Sequence, residues 1–364
     1  MEHRIKNIFN SIKTKPDIII IKNSGESIVD NNFFYFTGLE KGLFEGCSAI
    51  LFPDGKMDLL VSELESETAS KINANIKIYK NKDDYNTLLK ASTNSAKKIG
   101  LNFNGITYRN VLNFYELFPN TDFIDISNNI SKIRTIKDNY EIDLIKKAAS
   151  ISDHVKEKIP NLIHEGMHEY ELAAEINYLI QKKGADKEAF DTISSFGKNT
   201  AEPHYSHGET NLKYGDFILC DFGARYKRYN SDITRIFILG KPNEKQKAMH
   251  EKVLEAQKLA FDYIKQGVKG CDVHKEVESF INKSEFKGLF IHSTGHSLGL
   301  EVHDGGVSLG PESNIMLEEN MVLTVEPGIY IPGFGGVRIE DNILVKKDGV
   351  ELLSKSSREL IDVS

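Results

Sequence analysis

The sequence predicts an α+β protein built as two units, a small α/β unit over residues 1–130 and a larger unit over 131–364. Three observations carry this reading. The first 130 residues alternate short apolar runs with stretches of helical spacing, the pattern of helices packed on a largely parallel or mixed sheet. Around Ser127-Asn128-Asn129 a polar break interrupts the pattern. Beyond it, long helices are followed by strand pairs joined by tight turns, which reads as α+β with antiparallel pairing. A length of 364 residues at about 150 per domain agrees with two units.

In the first unit, Asp17 to Lys22 holds four consecutive isoleucines, a buried-strand composition. Ser48–Pro53 and Met57–Val61 form a predicted hairpin around Asp54-Gly55. Further strands are expected at 76–79, 98–101 and 122–126, and helices at 62–71 and 106–117. In the second unit, Asp138 with Glu141 three residues on has the form of a capping box. It opens a helix whose Ile142, Ile145 and Ala149 share a face. A second helix is expected over 168–183, ended by Gly184. A third runs from Pro242 to Gln266, with Met249, Val253, Ala256, Ala260 and Ile264 as its stripe and Pro242 in its first turn. Strands are expected at 215–223, 226–239, 321–326 and 336–346.

Composition removes several classes of function. Hydrophobic content of 40% and charged content of 27% are those of a folded globular chain, and no run approaches the 18 to 20 or so apolar residues of a membrane span. The opening Met-Glu-His-Arg-Ile-Lys is not followed by an apolar stretch with a cleavage site, so no secretory signal is expected. Cys47, Cys220 and Cys271 are odd in number and far apart, which argues against a disulfide framework and for a cytoplasmic setting. The net charge of −7, with no Lys/Arg block, gives no electrostatic hold on nucleic acid.

Two motifs compete for the chemistry. His164-Glu165-Gly166-Met167-His168 formally matches H-E-x-x-H, in which two histidines one helical turn apart bind zinc. Gly166 between the histidines costs about 1 kcal/mol of helix stability relative to Ala, and with Pro160 it suggests a turn leading into a helix near His168. The motif is therefore read as a turn. The second constellation is spread over the C-terminal half. Asp221 ends the apolar run Phe217-Ile218-Leu219-Cys220, and Asp232 follows eleven residues later, a spacing that lets a strand pair bring the two carboxylates together. An acid at the end of a buried strand is costly unless paired or metal-bound, although either residue alone could be a turn aspartate. In the stretch from His292 to Asp304, three of the eleven histidines, His292, His296 and His303, fall among Gly and Ser. Each alone could be a surface histidine. Glu326 follows Val322-Leu323-Thr324-Val325, and Glu340 stands between Ile339 and Ile343-Leu344-Val345, with the turn Pro332-Gly333-Phe334-Gly335-Gly336 between them. Two acids in core-like strands call for a shared cation.

The blocks D-F-G-A-R-Y-K-R-Y-N-S-D-I-T-R, H-S-T-G-H-S-L-G-L-E-V-H-D, V-E-P-G-I-Y and G-V-R-I-E-D closely resemble the dinuclear pita-bread metallopeptidases. Within them they are similar to the proline-specific branch of prolidase and aminopeptidase P. The match spans about 134 to 346. Asn32-Phe33-Phe34-Tyr35-Phe36-Thr37-Gly38 resembles a segment of that branch's creatinase-like N-terminal domain. The resemblance implies a creatinase-like α/β domain over 1–130 and a pita-bread catalytic domain over 131–364. It implies hydrolysis of the bond between an N-terminal residue and proline, in dipeptides or longer peptides. It also implies five ligands to two divalent ions per chain: Asp221 on one ion, His296 and Glu326 on the other, Asp232 and Glu340 bridging. Four carboxylates against two divalent ions leave a bridging water acidified by both. Oxygen-rich ligation with one imidazole suits Mn(II), Co(II) or Fe(II), and is compatible with Zn(II). By the same resemblance His204, His292 and His303 line the substrate cleft, with His303 donating to the carbonyl oxygen, and Glu326 takes the proton of the water. Arg338, two residues before Glu340, is an orienting group or else an exposed strand arginine. A homodimer is a family expectation.

One position departs from the pattern. Many prolidases carry an arginine four residues after the histidine matching His303, to clamp the carboxylate of a dipeptide. Here that position is Val307. The departure tilts the expectation toward aminopeptidase use of longer peptides. Arg109 from a partner subunit is a candidate replacement clamp. The competing classes are an inactive peptide- or protein-binding module and a metal-free creatinase-type hydrolase on the same fold. Both normally lack one or more of the five ligands, whereas all five residues are present here.

Overall fold

The structure is a computed structural model that describes residues 1–25, 28–93 and 96–364. It resolves into two compact units, Met1–Arg134 and Thr135–Ser364. The first is built on a six-stranded mixed sheet. Its strand order is Asn75–Tyr79, Met57–Ser62, Ser48–Leu51, Ile18–Lys22, Lys98–Leu101, Asp122–Asp125. The isoleucine strand is central because Ile19, Ile20 and Ile21 are buried on both faces, a demand that only a central strand meets. The Asp54-Gly55 hairpin forms with Leu51 opposite Met57. Ile18, Ile20, Ile50, Leu60, Leu89, Ile99, Leu101 and Phe114 make one face of the core.

The helices of this unit were less legible. Helices Glu2–Ser11, Asn31–Thr37 and Lys82–Thr93 were not anticipated. Asn31–Thr37 is aromatic-rich and of poor intrinsic propensity. It is held by Asp30, whose carboxylate accepts from Asn32 N, and by Gly38 in the left-handed region at φ 74°. The helix expected over 62–71 shrinks to a 3₁₀ turn, Glu63–Glu65, and one turn at Ser66–Ala69, because only Ala69 of these is buried. The polar break at 127–129 is instead the start of a helix, Ser127–Thr135, in which Asp125 accepts from Ser127 N at 2.9 Å and Ile130 is buried.

In the second unit the antiparallel pair Phe217–Phe222 and Ile233–Ile238 runs through the middle. Ile193–Phe196 flanks it on one side and Ile361–Asp362 on the other. Side-chain alternation sorts the pair into two cores. Ile218, Cys220, Phe222, Ile233 and Phe237 pack with Ile151, Val155, Leu172 and Ile176 of helices Asn139–Lys156 and Glu169–Lys182. Phe217, Leu219 and Ile236 pack with Met249, Val253 and Ala256 of helix Glu244–Tyr263. The capping box forms as expected, with Asp138 accepting from Glu141 N at 2.9 Å and Glu141 accepting from Asp138 N at 3.1 Å. A second capping box, Asn243 with Gln246, starts the next helix and leaves Pro242 before the cap rather than in the first turn. Helix Gly270–Asn282, also unanticipated, buries Val273, Val277 and Ile281 along one stripe.

The run expected as one strand over 226–239 is broken into Ala224–Tyr226, Tyr229–Asn230 and Ile233–Ile238, with Lys227 and Arg228 at positive φ in the turn. The run over 336–346 is likewise two strands, Gly335–Arg338 and Asp341–Lys346. The first pairs with Gly328–Ile331 and the second with Val322–Val325. Each break coincides with a change of partner. Glu326 and Glu340 therefore sit where neighbouring strands part.

Candidate metal centre

Register decides which acids meet. Asp221 lies opposite Thr234, and Phe222 opposite Ile233, so Asp232 falls one residue beyond the paired segment, diagonal to Asp221 and on its face. A slip of one residue in either strand would turn its carboxylate into the opposite core and part the two acids. His296 arrives on the segment after Gly295, which presses on strand Val322–Val325 so closely that an added Cβ would lie 2.0 Å from the Thr324 carbonyl oxygen. Gly295 is thus required for the histidine to reach the strand. These elements bring the four acids and one imidazole expected from the sequence to one cleft of about 720 Å³, along with His204, His292, His303, Val307 and Arg338.

Ligand atoms of Asp232, His296 and Glu340 all lie within 4.8 Å of one another. His296 Nε2 is 3.6 Å from Asp232 Oδ2 and 3.5 Å from Glu326 Oε1. Its Nδ1 meets the carbonyl of Ser297 at 3.2 Å. A carbonyl only accepts, so Nδ1 carries the proton and the Nε2 lone pair points at the acids, as a metal ligand requires. Asp221 Oδ1 and Asp232 Oδ1 are buried and have no hydrogen-bond donor. Two buried, undonated carboxylate oxygens facing a cluster of acids are what a cation site leaves when only the protein is considered.

The electrostatics point the same way. Burial lifts Asp232 well above the ordinary carboxylate range, and Glu340, Asp221 and Glu326 add to it. Glu340 is raised likewise by burial, Glu326 and Asp221. Burial pushes Glu326 up to about 7, against the pull of Arg338. Protein groups alone cannot keep these carboxylates ionised together, whereas two divalent cations would balance four of them. The residues fit the ions that the sequence implies.

A second layer of side chains fixes the acids, and most of it was invisible in the sequence. Arg338 donates to Asp221 Oδ2 at 2.5 Å, to Thr234 Oγ1 at 3.0 Å, to the Tyr330 hydroxyl at 3.0 Å and to the Pro203 carbonyl at 3.3 Å. It is buried, not an exposed strand arginine. The Thr234 hydroxyl donates in turn to Glu340 Oε2 at 2.7 Å. Asn342 brackets the backbone of Asp232, accepting from its N at 3.1 Å and donating to its carbonyl. Gln257 donates to the carbonyls of Val325 and Ile339, the residues just before Glu326 and Glu340. Arg235 donates to the Glu340 carbonyl at 2.6 Å and to Asp341 at 2.7 Å. Of this layer the sequence named Arg338, and Arg235 in the strand Ile233-Thr234-Arg235-Ile236 was a further signal.

The three remaining histidines differ. His292 Nδ1 donates to the Ser293 carbonyl at 2.8 Å, so its Nε2 must accept from Tyr330 O–H, also at 2.8 Å. Both ring nitrogens are engaged, and burial followed by the nearby Arg338 pushes the ring down to about 3. His303 packs its ring 4.0 Å from that of His296 and is pushed down to about 4 by burial, His296 and His204, so it is neutral near pH 7. His204 is exposed on the cleft wall. His164 and His168 line no part of this cleft. Gly166 is at φ +83°, the helix begins at Glu169, and His168 Nδ1 bonds the Glu209 carbonyl at 2.9 Å.

Residues 143–347 match metallopeptidase family M24, and residues 14–136 match the creatinase/prolidase N-terminal domain. The chain is 38% identical over 332 residues to the Xaa-Pro dipeptidase of Pyrococcus furiosus, covering 91% of this chain and 92% of that one. Its structure is similar to the prolidase of Pyrococcus horikoshii, with a TM-score of 0.89, 35% identity, and coverage of 99% of this chain and 100% of that one. It is equally similar in TM-score, 0.89, to an X-Pro aminopeptidase from Thermotoga maritima at 32% identity, covering 95% and 97%.

The acid cluster gives a testable pH dependence. In the metal-free fold Glu326 keeps its proton to about 7, against about 4.3 in an unfolded chain, and Asp232 and Glu340 shift the same way. The contribution of Glu326 to stability is therefore full below about pH 4.3 and lost as pH rises through about 7, and Asp232 and Glu340 act in the same direction. EDTA-stripped protein should melt at progressively lower temperature from about pH 5 to 8, and more steeply than stripped Glu340→Gln protein. Mn(II) or Co(II) should raise the melting temperature and flatten the slope. Equal slopes for the two stripped proteins would contradict the account.

Proposed function

Since the chain belongs to metallopeptidase family M24 and carries a creatinase/prolidase N-terminal domain, we propose that it is a cytoplasmic Xaa-Pro peptidase working with two divalent ions, Mn(II) or Co(II) by ligand chemistry. The single observation that carries this is the convergence of Asp221, Asp232, His296, Glu326 and Glu340 on one cleft with undonated oxygens on both aspartates. The complete set argues against an inactive binding module and against a metal-free hydrolase on this fold. Ions held by these five residues would polarise the scissile carbonyl and acidify the attacking water. The chain's own groups do the rest. A carboxylate oxygen of Glu326 takes the proton of the water and later returns it to the proline nitrogen. His303, neutral and packed on His296, donates to the carbonyl oxygen as charge develops there. Arg338 and Thr234 keep Asp221 and Glu340 from turning as the charge moves. His292, with both nitrogens engaged, orients Tyr330 rather than substrate.

The cleft also bears on substrate length. Among the described residues lining it, Arg338 is the one Lys or Arg, and its guanidinium is already committed to Asp221, Thr234, Tyr330 and Pro203. Val307 stands buried on the wall. A dipeptide places a free proline carboxylate in this cleft, and an unpaired desolvated carboxylate costs several kcal/mol. A longer peptide offers a neutral amide instead. The favoured reading is therefore aminopeptidase use of peptides with proline second. Dipeptidase use is the second reading, supported by the names of the two Pyrococcus relatives, 36–38% identical over at least 91% of this chain. It calls for a clamp from elsewhere, such as Arg109 of a second copy in a homodimer.

Two expected outcomes follow. With Mn(II) or Co(II), kcat/KM for an Xaa-Pro-Yaa tripeptide should equal or exceed that for the Xaa-Pro dipeptide, and Val307→Arg should move the ratio toward the dipeptide. A tenfold preference of the wild type for the dipeptide, about 1.4 kcal/mol, would decide for the second reading. His303→Ala should lower kcat on the order of a hundredfold with little change in KM and with metal content retained, since its hydrogen bond forms in the transition state. Loss of metal in that variant would make His303 a ligand and contradict its assigned role.

A further inference from the structure

The turn that mimics a zinc motif has a different use. Immediately after it, Glu169 opens helix Glu169–Lys182 with its side chain fully buried. No lysine or arginine lies within ion-pairing distance of it among the described residues. Instead the carboxylate accepts four hydrogen bonds, two on each oxygen. Oε1 takes Phe196 N at 2.8 Å and Asn199 Nδ2 at 2.9 Å, and Oε2 takes the Tyr205 hydroxyl at 2.9 Å and Gly208 N at 3.1 Å. All four donors belong to residues 196–208, the segment that carries Pro203 and His204 into the cleft. The flanking turn closes the same segment, with Leu212 N bonded to the Met167 carbonyl at 2.8 Å and Gly166 N to the Leu212 carbonyl at 2.9 Å. On its far side the segment is tied to the site itself. Thr200 Oγ1 accepts from Gly336 N at 2.7 Å, and the Pro203 carbonyl accepts from Arg338 at 3.3 Å.

We infer that Glu169 is a positioning residue which, from outside the cleft, sets the location of His204 and hence the fit of the bound peptide. The inference rests on the peptidase reading for its kinetic consequences and on geometry for the rest. A carboxylate is required because all four partners donate. A glutamine at this position has an amide nitrogen that only donates, so whichever way it turns at least one backbone N–H, of Phe196 or Gly208, loses its acceptor, and the hydrogen bond of Asn199 or Tyr205 is lost or reversed. The loop between Asn199 and Tyr205 is then free to shift, and a displacement of about 1 Å at a substrate-contacting group can cost on the order of a hundredfold in rate.

The test is a double-mutant cycle of Glu169→Gln and His204→Ala on the metal-loaded protein, with metal content measured for each. A parallel measurement follows the His204 Cε1–H resonance in ¹³C-histidine-labelled protein loaded with Zn(II), which is diamagnetic. Glu169→Gln should lower kcat/KM about tenfold or more without loss of metal, while the double variant is no slower than His204→Ala alone. The His204 resonance should shift or split in Glu169→Gln. Equal fold losses in both backgrounds with an unmoved resonance would overturn the inference and leave Glu169 merely structural. Should Glu169→Gln fail to fold, Tyr205→Phe, which removes one of the four donors, must show the same non-additivity and a smaller shift of the resonance; without them the inference falls. If wild-type protein cleaves no Xaa-Pro substrate, the peptidase reading fails, and the resonance alone decides the positioning role.

Discussion

Four carboxylates in or just beyond the ends of strands packed with Leu, Ile and Val are the constraint on which the rest of the structure depends. Burial, and then mutual repulsion, raise Asp232, Glu326 and Glu340 above the ordinary range, so the acids reach full charge only with cations between them. The surrounding protein is arranged to hold these acids in place rather than to neutralise them. Among the described residues Arg338 is the one full positive charge paired with a carboxylate of the five, that of Asp221. Thr234, Thr324, Asn342 and Gln257 contribute only neutral hydrogen bonds, which fix geometry without displacing a metal. Neutral support of this kind leaves the charge deficit for the ions, which is why the site and its cofactor requirement belong together.

The four carboxylates proposed as ligands were legible because they stand out from their surroundings. Asp221 and Glu326 end apolar runs, Glu340 interrupts one, and Asp232 follows a turn at a spacing suited to a strand pair. An acid in such a place contradicts its surroundings unless something compensates for it, and that contradiction is readable in one dimension. Most of the supporting residues do not stand out in this way. Thr234 is an ordinary strand residue, Gln257 an ordinary helix residue, and Tyr330 an ordinary β former. Their roles arise largely from pairings distant in sequence, such as Thr324 with His296, 28 residues apart, and Arg338 with Asp221, 117 apart, which only register and packing determine.

The same distinction explains the fold. Strands with strong composition, Ile18–Lys22 and Phe217–Phe222, lie where the apolar pattern puts them. Helices that depend on tertiary contact do not announce themselves. Asn31–Thr37 is an aromatic run held by its caps and by ring packing of Phe33 against Phe34 at 5.2 Å. Polarity misled at Ser127–Asn129, where side chains that resemble a linker instead begin a helix. At His164–His168 the formal zinc motif is the turn that Gly166 implied, anchored to residues 208–212, and it delivers Glu169 to the loop of His204.

The central claim is that a pair of ions occupies the space among these five residues. Anomalous diffraction from crystals of Mn(II)-loaded protein, collected on either side of the manganese edge, tests it directly. The account predicts two peaks per chain, about 3.5–4 Å apart, with Asp232 and Glu340 reaching both, Asp221 reaching one, and His296 and Glu326 the other. A single peak in crystals of fully active protein, or a peak at His164 and His168, would contradict it.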